Sequence, residues 1–329
     1  MLPSSGCILC DALYAIPILA GLYFLRKYIR GGQFTENVRA DGKIVVVTGA
    51  NSGVGRGVCE ELNKRGAKVY MICRDEGRAA KGRNLMIENG CDPSRLLIRI
   101  ADLANLASVQ KAAKQILSEE KHIDILVNNA GMFGLLKFSK TTDGFEETWQ
   151  SNYLGHFLLT EMLITALRKA EKPRIVNVSS LLHPYADSVD FRHVNDPKNY
   201  GMWMGYARTK LANVMHARWL ARKHPKILSN SCHPGCINSS ILSTSGWLFL
   251  KDILYPFFWY FMKTEMDGAQ TALYLALSEK VEGNGLYYSD CAVGSMGSKA
   301  RDDAACEKLY KESLQAVGLD YYQEITTAK

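Results

Sequence analysis

The chain alternates short runs of β-branched and other apolar residues with longer stretches in which apolar positions recur at helical spacing. The short runs predict strands buried on both faces, and the longer stretches predict helices that cover them. The strand-like runs are 43–48, 68–73, 96–101, 123–128, 174–179 and 227–232. The clearest helical patterns are 105–119, 145–168 and 206–223. This alternation predicts an α/β fold: a doubly wound parallel sheet with helices on both faces. Because no Pro/Gly/Ser linker and no internal repeat divides it, we expect one domain over residues 43–300.

An uncharged apolar run sets the start of the chain apart. "ALYAIPILAGLYFL" covers residues 12–25, and the apolar character extends back to Leu2 with only Asp11 interrupting it. A helix that spans a bilayer needs about 20 residues. The cationic residues, which precede the apolar run in a cleavable signal, follow it here at Arg26, Lys27 and Arg30. We therefore predict a membrane-anchor helix over 1–30 and a connector over 31–42, with the rest of the chain on the cytosolic side. An amphipathic or buried first helix is the alternative.

A second apolar stretch lies at residues 246–263. "GWLFLKDILYPFFWYFMK" carries eight aromatic side chains from Trp247 to Phe261, lacks a clean helical or strand period, and is broken by Pro256. Two interpretations are open: the rings pack into the core, or they form an apolar surface for a ligand or a bilayer. The last segment, 301–329, has a charged helical pattern and is predicted to be a helical tail.

Composition and charge narrow the function classes. The 329 residues are 47% hydrophobic and 22% charged, as in an ordinary globular protein with a sizeable core. The net charge of +7 is spread along the chain without blocks of like charge, so we expect no nucleic-acid partner. Nine cysteines without framework spacing, and no cleavable signal, favour reduced thiols in the cytosol. No metal is expected, because the close cysteine pairs lack the two further ligands of a structural zinc site. Those pairs are Cys7 with Cys10 and Cys232 with Cys236.

A glycine-rich segment joins the first predicted strand to the first helix of the domain. The glycines of "TGANSGVGRG" at this turn are Gly49, Gly53 and Gly55. Glycines let the backbone approach a pyrophosphate, and the helix N-terminus offers free N–H groups, so the segment predicts a Rossmann-type dinucleotide site. At the end of the second strand, where NAD-dependent proteins carry an acidic residue, this chain has Cys73 and then Arg74. An arginine pairs with a 2′-phosphate, so we predict NADP(H) over NAD(H), with Asp75 as the residue that argues the other way.

Tyr206 and Lys210 are the candidates for proton transfer. They stand four residues apart in a predicted helix, so their side chains share one face. A phenol with a pKa near 10 is a poor acid or base at neutral pH, and an ammonium within about 4–6 Å lowers that pKa. We expect Tyr206 to act as the general acid/base and Lys210 to lower its pKa. His183, His193 and His233 are then predicted to be loop residues, because no base is missing.

Six motifs in sequence order give the chain a resemblance to a known family. They are "TGANSGVG", "DL" at 102–103, "NNAG" at 128–131, "NVSS" at 177–180, "YARTK" at 206–210 and "HPG" at 233–235. With them, residues 43 to about 290 resemble the short-chain dehydrogenase/reductase family. The N-terminal run, "NYLGHFLLT" at 152–160, "KLANV" at 210–214 and "EGNGLYYSDC" at 282–291 resemble its membrane-bound retinol dehydrogenase/retinal reductase branch.

The resemblance implies a role for each matching position. Ser180 would hydrogen-bond the substrate oxygen, and Asn152 would position a water that links Lys210 to solvent. Lys210 would also hold the nicotinamide ribose. Ser239 stands where the family usually has threonine, and it keeps the hydroxyl. The cofactor-binding residues so implied, in addition to Arg74, Tyr206 and Lys210, are Gly49, Asn51, Ser52, Gly53, Val54, Gly55, Asp102, Leu103, Asn128, Asn129, Ala130, Gly131, Pro234, Gly235 and Ser239.

The function that the resemblance implies is hydride transfer between NADP(H) and a hydrophobic aldehyde, ketone or alcohol, with retinal and retinol as the first candidates. The segment at about 240–265 would cover the substrate. Its aromatic wall would favour long apolar molecules and contact the bilayer, through Trp247, Phe257, Phe258 and Trp259.

The resemblance also bears on location and assembly. It implies an endoplasmic reticulum membrane with the catalytic domain facing the cytosol, and it allows a homodimer. Two alternatives stay open: a reductase of steroid, fatty or lipid-peroxidation carbonyls, and, from a different class, a membrane-bound cofactor-binding scaffold without significant turnover.

Overall fold

Seven parallel strands form an open sheet with one short antiparallel strand at its edge. The structure is a computed structural model that describes residues 8–237 and 260–319, with side chains from residue 15 onward. The strands are β1 (Ile44–Thr48), β2 (Lys68–Cys73), β3 (Leu96–Ile100), β4 (Ile125–Asn128), β5 (Arg174–Val178), β6 (Leu228–His233), β7 (Tyr287–Ser289) and β8 (Ala292–Val293). Their order across the sheet is β3-β2-β1-β4-β5-β6-β7-β8. The predicted parallel, doubly wound arrangement is confirmed.

Helices cover both faces of this sheet. They are α1 (Ile8–Arg30), α2 (Gly53–Lys64), α3 (Glu76–Glu88), α4 (Leu106–Glu119), α5 (Glu147–Trp149), α6 (Gly155–Leu167), α7 (Phe191–Val194), α8 (Met202–Lys223), α9 (Glu265–Leu277) and α10 (Asp303–Ala316). All five residues of β1 are buried, as a strand covered on both sides requires. One core forms beneath α2 and α9, and the other beneath α4, α6, α8 and α10.

The last turns of α1 are fixed to the domain by two arginines. Arg26 donates to the carbonyl oxygens of Tyr260, at 3.4 Å, and Met262, at 3.0 Å. Arg30 donates to the Asp267 carboxylate at 2.9 Å, and that carboxylate is only 4% exposed. The C-terminal end of α1 therefore has a defined position beside the start of α9.

No helix in the stretches 8–237 and 260–319 combines the length and the apolar character needed to cross a bilayer. The predicted membrane anchor stays a prediction. The segment that follows α1, predicted as a connector, packs on the domain: the Phe34 side chain is buried, and its N–H donates to the Gln270 side chain at 2.9 Å.

Helix α10 contributes to the core instead of trailing from it. Leu309, Tyr310 and Leu314 are buried against α6 and α8. The Tyr310 hydroxyl donates to the buried Glu161 carboxylate of α6 at 2.8 Å. The first part of the predicted tail is therefore integral to the fold, while residues 320–329 lie outside the described residues.

Candidate active site

One cleft of about 300 Å³ lies at the carboxyl ends of the central strands. It is next to β1 and β4, which are neighbours in the sheet although β2 and β3 lie between them in sequence. Open α/β sheets bind ligands at such a switch point. The sequence-predicted residues that line the cleft are Gly49, Asn51, Ser52, Gly53, Val54, Arg74, Asp102, Leu103, Asn129, Ala130, Gly131, Asn152, Tyr206, Lys210 and Pro234.

Four predicted residues do not line the cleft: Gly55, Asn128, Ser180 and Gly235. Asn128 braces the sheet, because its amide donates to the side chains of Thr160, at 2.9 Å, and Asn177, at 2.8 Å. Ser239, Trp247, Phe257, Phe258 and Trp259 lie outside the described residues.

The glycine-rich turn has the shape that a phosphate group requires. Gly53, the first residue of α2, has φ +59°, and no atom lies within 4 Å of the point where a Cβ would stand. A Cβ on Gly55 would lie 2.3 Å from the Gly49 carbonyl oxygen, so only glycine lets the turn close this tightly. The Gly53 N–H donates to the Glu265 carboxylate at 2.9 Å. The N-terminus of α2 thus already accepts a carboxylate at the Gly53 N–H, as its positive dipole end favours, and space remains beside Gly53.

Two arginines flank the end of β2. Arg74 follows the strand, and Arg78 lies in the first turn of α3; both line the cleft. The Asp75 carboxylate between them caps α3, because it accepts the Arg78 N–H at 2.7 Å. Sequence reasoning missed Arg78; the signal that could have found it is Asp75, an N-cap residue that marks the start of α3 and so places Arg78 in the first turn beside the strand end.

Lys210 and Tyr206 meet at the inner end of the cleft. The Lys210 ammonium lies 5.3 Å from the centre of the Tyr206 ring and donates to the Val178 carbonyl at 3.1 Å. Burial lowers the pKa of Lys210 to about 8. Burial raises the pKa of Tyr206, and a hydrogen bond with the Ser180 side chain only partly opposes that shift.

The predicted lowering of the Tyr206 pKa is therefore wrong for the protein alone. The physical reason is that the phenolate loses more hydration in this site than its neighbours restore. Tyr206 is consequently protonated at neutral pH, which is the form that can donate a proton to a carbonyl oxygen.

Asn152 lies in a π-helical turn, Gln150–Leu154, between α5 and α6. Its side chain accepts the Met132 N–H and donates to the Met132 carbonyl, both at 2.8 Å. The backbone carbonyl of Asn152 accepts from His156 Nδ1 at 2.9 Å, and His156 Nε2 lies 2.8 Å from the Thr48 hydroxyl. Thr48 in turn accepts the N–H groups of Asn129 and Ala130, both at 2.9 Å. Single-turn π-bulges frequently mark functional sites, and this one is tied to the "NNAG" turn.

An aromatic cluster stands beside the Tyr206 ring. Phe133 lies 4.9 Å from Tyr206 and 4.5 Å from Trp203, measured between ring centres. Trp203 is 63% exposed, which is unusual for so large an apolar group. Sequence reasoning placed the apolar wall elsewhere and missed both residues, which lie just outside the recognised motifs.

The prediction that the histidines near strand ends are loop residues is wrong for His233, which lies in a strand, whereas His183 lies in a turn as predicted. His183 is buried, 1% exposed, in a short 3₁₀ turn after β5. His233 is the last residue of β6 and is also buried. His193 ends up partly exposed, 3.1 Å from the Asp187 carboxylate.

Similarity to known proteins agrees with this geometry. Residues 43–246 match the family model described as short chain dehydrogenase. Retinol dehydrogenase 12 of Bos taurus and retinol dehydrogenase 11 of Homo sapiens are each 38% identical over 300 residues, which is 90% of this chain and 92% of each relative. The crystal structure of an uncharacterized protein from Mycobacterium paratuberculosis, 26% identical, superposes with a TM-score of 0.70 over 88% of this chain and 99% of its own.

Proposed function

The chain belongs to the short-chain dehydrogenase family, and on that premise we propose that it is an NADP(H)-dependent enzyme that interconverts retinal and retinol. Family membership makes it an oxidoreductase that acts on CH–OH groups and binds a nicotinamide cofactor. The observation that carries the proposal is the grouping of Tyr206, Ser180 and Lys210: the Lys210 ammonium lies 5.3 Å from the centre of the Tyr206 ring, and the Ser180 side chain is near enough to the phenol to oppose the rise in its pKa.

The residues of the cleft fit a dinucleotide phosphate. The open turn at Gly53 suits the pyrophosphate, and the exposed Arg74 and Arg78 guanidinium groups suit a 2′-phosphate. Asp75 also lines the cleft, but one oxygen of its carboxylate caps α3, and the two arginines beside it outweigh its charge. Lys210, buried and close to Gly131, is placed to hold the nicotinamide ribose. When bound, the cofactor supplies or accepts the hydride.

Proton transfer is the part of the reaction that the chain itself performs. In reduction, the Tyr206 hydroxyl donates its proton to the substrate oxygen, and the Ser180 hydroxyl stabilises the charge that develops there. The Lys210 ammonium then stabilises the phenolate that remains. Asn152, whose amide is held by both polar groups of Met132, is positioned to orient a water that returns the proton to this pair.

An apolar substrate is supported by the cluster of Phe133 and Trp203. The largely exposed Trp203 ring extends the surface that begins at Tyr206, so a long apolar carbonyl compound would bury it. The retinol dehydrogenases at 38% identity support a retinoid within that class. A covering role for the aromatic residues 247–259 is part of this proposal.

The proposal is tested by following NADPH consumption with the full-length protein in detergent, using all-trans-retinal, a fatty aldehyde and a ketosteroid, each repeated with NADH. Retinal should be the best substrate, and NADPH the better cofactor. Turnover of only the fatty aldehyde or the ketosteroid would retain the mechanism and rule out the retinoid. Cofactor binding without any turnover would identify a scaffold.

Replacing Trp203 with alanine should raise KM for retinal about 10-fold, because an aromatic contact of roughly 1.5 kcal/mol is lost. KM for propanal, too short to reach Trp203, should change less than about 2-fold. Steady-state kinetics with both aldehydes measures this difference. Leu117→Ala, at a partly exposed apolar position on α4, is the matched control and should change neither value. Equal increases for retinal and propanal would contradict an apolar wall at Trp203.

We also propose that α1 inserts into a membrane, with the catalytic domain on the cytosolic face of the endoplasmic reticulum. Its exposed apolar side chains, between 41% and 83% accessible, are Ile16, Ile18, Leu19, Leu22, Tyr23, Phe24, Leu25 and Tyr28. The basic residues that follow suit the cytosolic headgroup region. The described cysteines whose side chains are placed are free thiols, which agrees with a reducing compartment.

Flotation with phosphatidylcholine vesicles measures this association. Leu19→Asp together with Phe24→Asp should abolish flotation, because two charges cannot enter the apolar layer without a large free-energy cost. NADPH binding should remain, since neither residue lines the cleft. Val293→Asp, at an exposed apolar position on β8, should float as the unmodified protein does. Unchanged flotation of the α1 variant would rule out insertion through this helix.

A further inference from the structure

His183 is buried three residues after Ser180, in the turn that leaves β5. Its Nδ1 lies 2.8 Å from the Ser180 carbonyl oxygen, and its Nε2 lies 3.0 Å from the Gly297 nitrogen. The ring of Tyr287, on β7, packs against it with centres 4.4 Å apart. One side chain thus connects the catalytic turn to the loop that follows β8.

The two hydrogen bonds fix the tautomer of this ring. A carbonyl oxygen only accepts, so Nδ1 carries the proton; an amide N–H only donates, so Nε2 carries none. Protonating Nε2 would set two donors against each other at Gly297. Burial also lowers the pKa of His183, which favours the neutral ring. Both ring nitrogens of His183 are therefore engaged in hydrogen bonds, and neither is free for acid/base catalysis. We call this doubly bonded ring the brace.

The brace acts on the residue whose orientation matters for catalysis. The Ser180 carbonyl accepts both the His183 ring N–H, at 2.8 Å, and the His183 backbone N–H, at 3.2 Å. The Ser180 hydroxyl accepts the Leu182 N–H at 3.2 Å, and it is near enough to Tyr206 to oppose the rise in the pKa of that phenol. The ring bond is the only one of these that comes from outside the backbone and the reacting groups, and Gly297 and Tyr287 hold that ring in place. A hydroxyl that must meet a developing charge loses much of its effect when it is misoriented.

We propose that His183 is a positioning residue, which holds Ser180 in its catalytic orientation through the Nδ1 hydrogen bond while Gly297 fixes the ring. This inference rests on the proposed function, because it assigns a role to Ser180 in carbonyl turnover. It predicts that the Nδ1 bond sets the turnover rate and that the Nε2 bond contributes mainly to stability.

Two amide substitutions of His183 distinguish the effects of its Nδ1 and Nε2 hydrogen bonds. His183→Asn places an N–H donor near the Nδ1 position and should keep kcat for retinal reduction within about 3-fold. His183→Gln reaches the Nε2 position, can accept from Gly297, and loses the bond to Ser180; kcat should fall between about 10- and 100-fold. KM for retinal and Kd for NADPH, measured by the fluorescence of the bound cofactor, should stay within about 2-fold in both. His193→Gln, in the same connecting segment, is the matched control and should leave kcat unchanged.

A cycle with Ser180→Ala distinguishes positioning from a general structural role. If His183 acts through Ser180, adding His183→Gln to Ser180→Ala should cost less than about 2-fold further in kcat. The proposal would be overturned if the losses of kcat in the two single variants multiplied in the double variant. It would also be overturned if His183→Asn and His183→Gln lost kcat equally and their losses followed the decrease in Tm.

The tautomer of His183 can be measured without any enzymatic turnover. Nitrogen-15 spectra of the histidine-labelled full-length protein should show His183 neutral with its proton on Nδ1, and a proton on Nε2 would overturn the brace. If the unmodified protein reduces no carbonyl compound, the proposed function fails and the catalytic role of the brace fails with it. If the unmodified protein turns over retinal but the effects of His183→Gln and Ser180→Ala on kcat multiply, only the role of His183 is overturned.

Discussion

Replacing Tyr206 with phenylalanine should lower kcat for retinal reduction by about 1,000-fold or more, since general acid catalysis contributes roughly 10²–10⁴-fold and Ser180 also loses its phenol partner. The variant removes one oxygen atom and keeps the ring that packs against Phe133. NADPH should still bind, because the glycine-rich turn and the two arginines are untouched. Stopped-flow measurement of a single turnover, with cofactor binding followed by fluorescence, separates these effects.

Tyr185→Phe is the matched control for this substitution. Tyr185 lies in the turn after β5 and is 73% exposed, so loss of its hydroxyl should leave kcat within about 2-fold. If Tyr206→Phe retained more than a tenth of the original kcat, another group would be the acid. Loss of activity together with loss of cofactor binding would point to a collapsed cleft instead.

The features that could be predicted from the sequence are those that depend on residues close together in the chain. The run "IVVVT" is apolar at every position because both faces of β1 are covered, so the strand could be recognised from the pattern alone. Gly53 and the spacing of Tyr206 and Lys210 were equally readable, because a turn conformation and one helix face each depend on a few adjacent residues. The homodimer stays a prediction.

The features that the sequence did not reveal depend on residues far apart in the chain. Strands β7 and β8 have only three and two residues, too few to show a period; β7 forms by pairing with β6, and β8 by pairing with β7. The bond between His183 and Gly297 joins positions 114 apart. The direction of the Tyr206 pKa shift was missed for the same reason: spacing revealed the nearby ammonium, whereas burial of the ring depends on residues distant in sequence, such as Phe133.

Replacing both Arg74 and Arg78 with alanine should lower kcat/KM with NADPH by about 100-fold, because each arginine offers a 2′-phosphate charge-assisted hydrogen bonds of roughly 1.5–3 kcal/mol. With NADH, which has no 2′-phosphate, kcat/KM should change less than about 3-fold, so the variant should lose most of its cofactor preference. Steady-state kinetics with retinal and either cofactor measures both values. Lys81→Ala, an exposed lysine on the same helix, controls for a general loss of positive charge and should keep the preference.

Asp75 supplies the discriminating variant in the same experiment. If its carboxylate serves α3 as the cap, Asp75→Ala should lower the free energy of unfolding by about 0.5–2 kcal/mol and leave the ratio of NADPH to NADH activity unchanged. If instead Asp75 bound the adenosine ribose, the same substitution would selectively impair NADH. Equal losses with both cofactors in the double arginine variant, together with a selective loss of NADH activity in Asp75→Ala, would assign the cleft to NAD(H). The geometry favours the opposite result, because two arginines line the cleft beside the Asp75 carboxylate, and one oxygen of that carboxylate already accepts the Arg78 N–H.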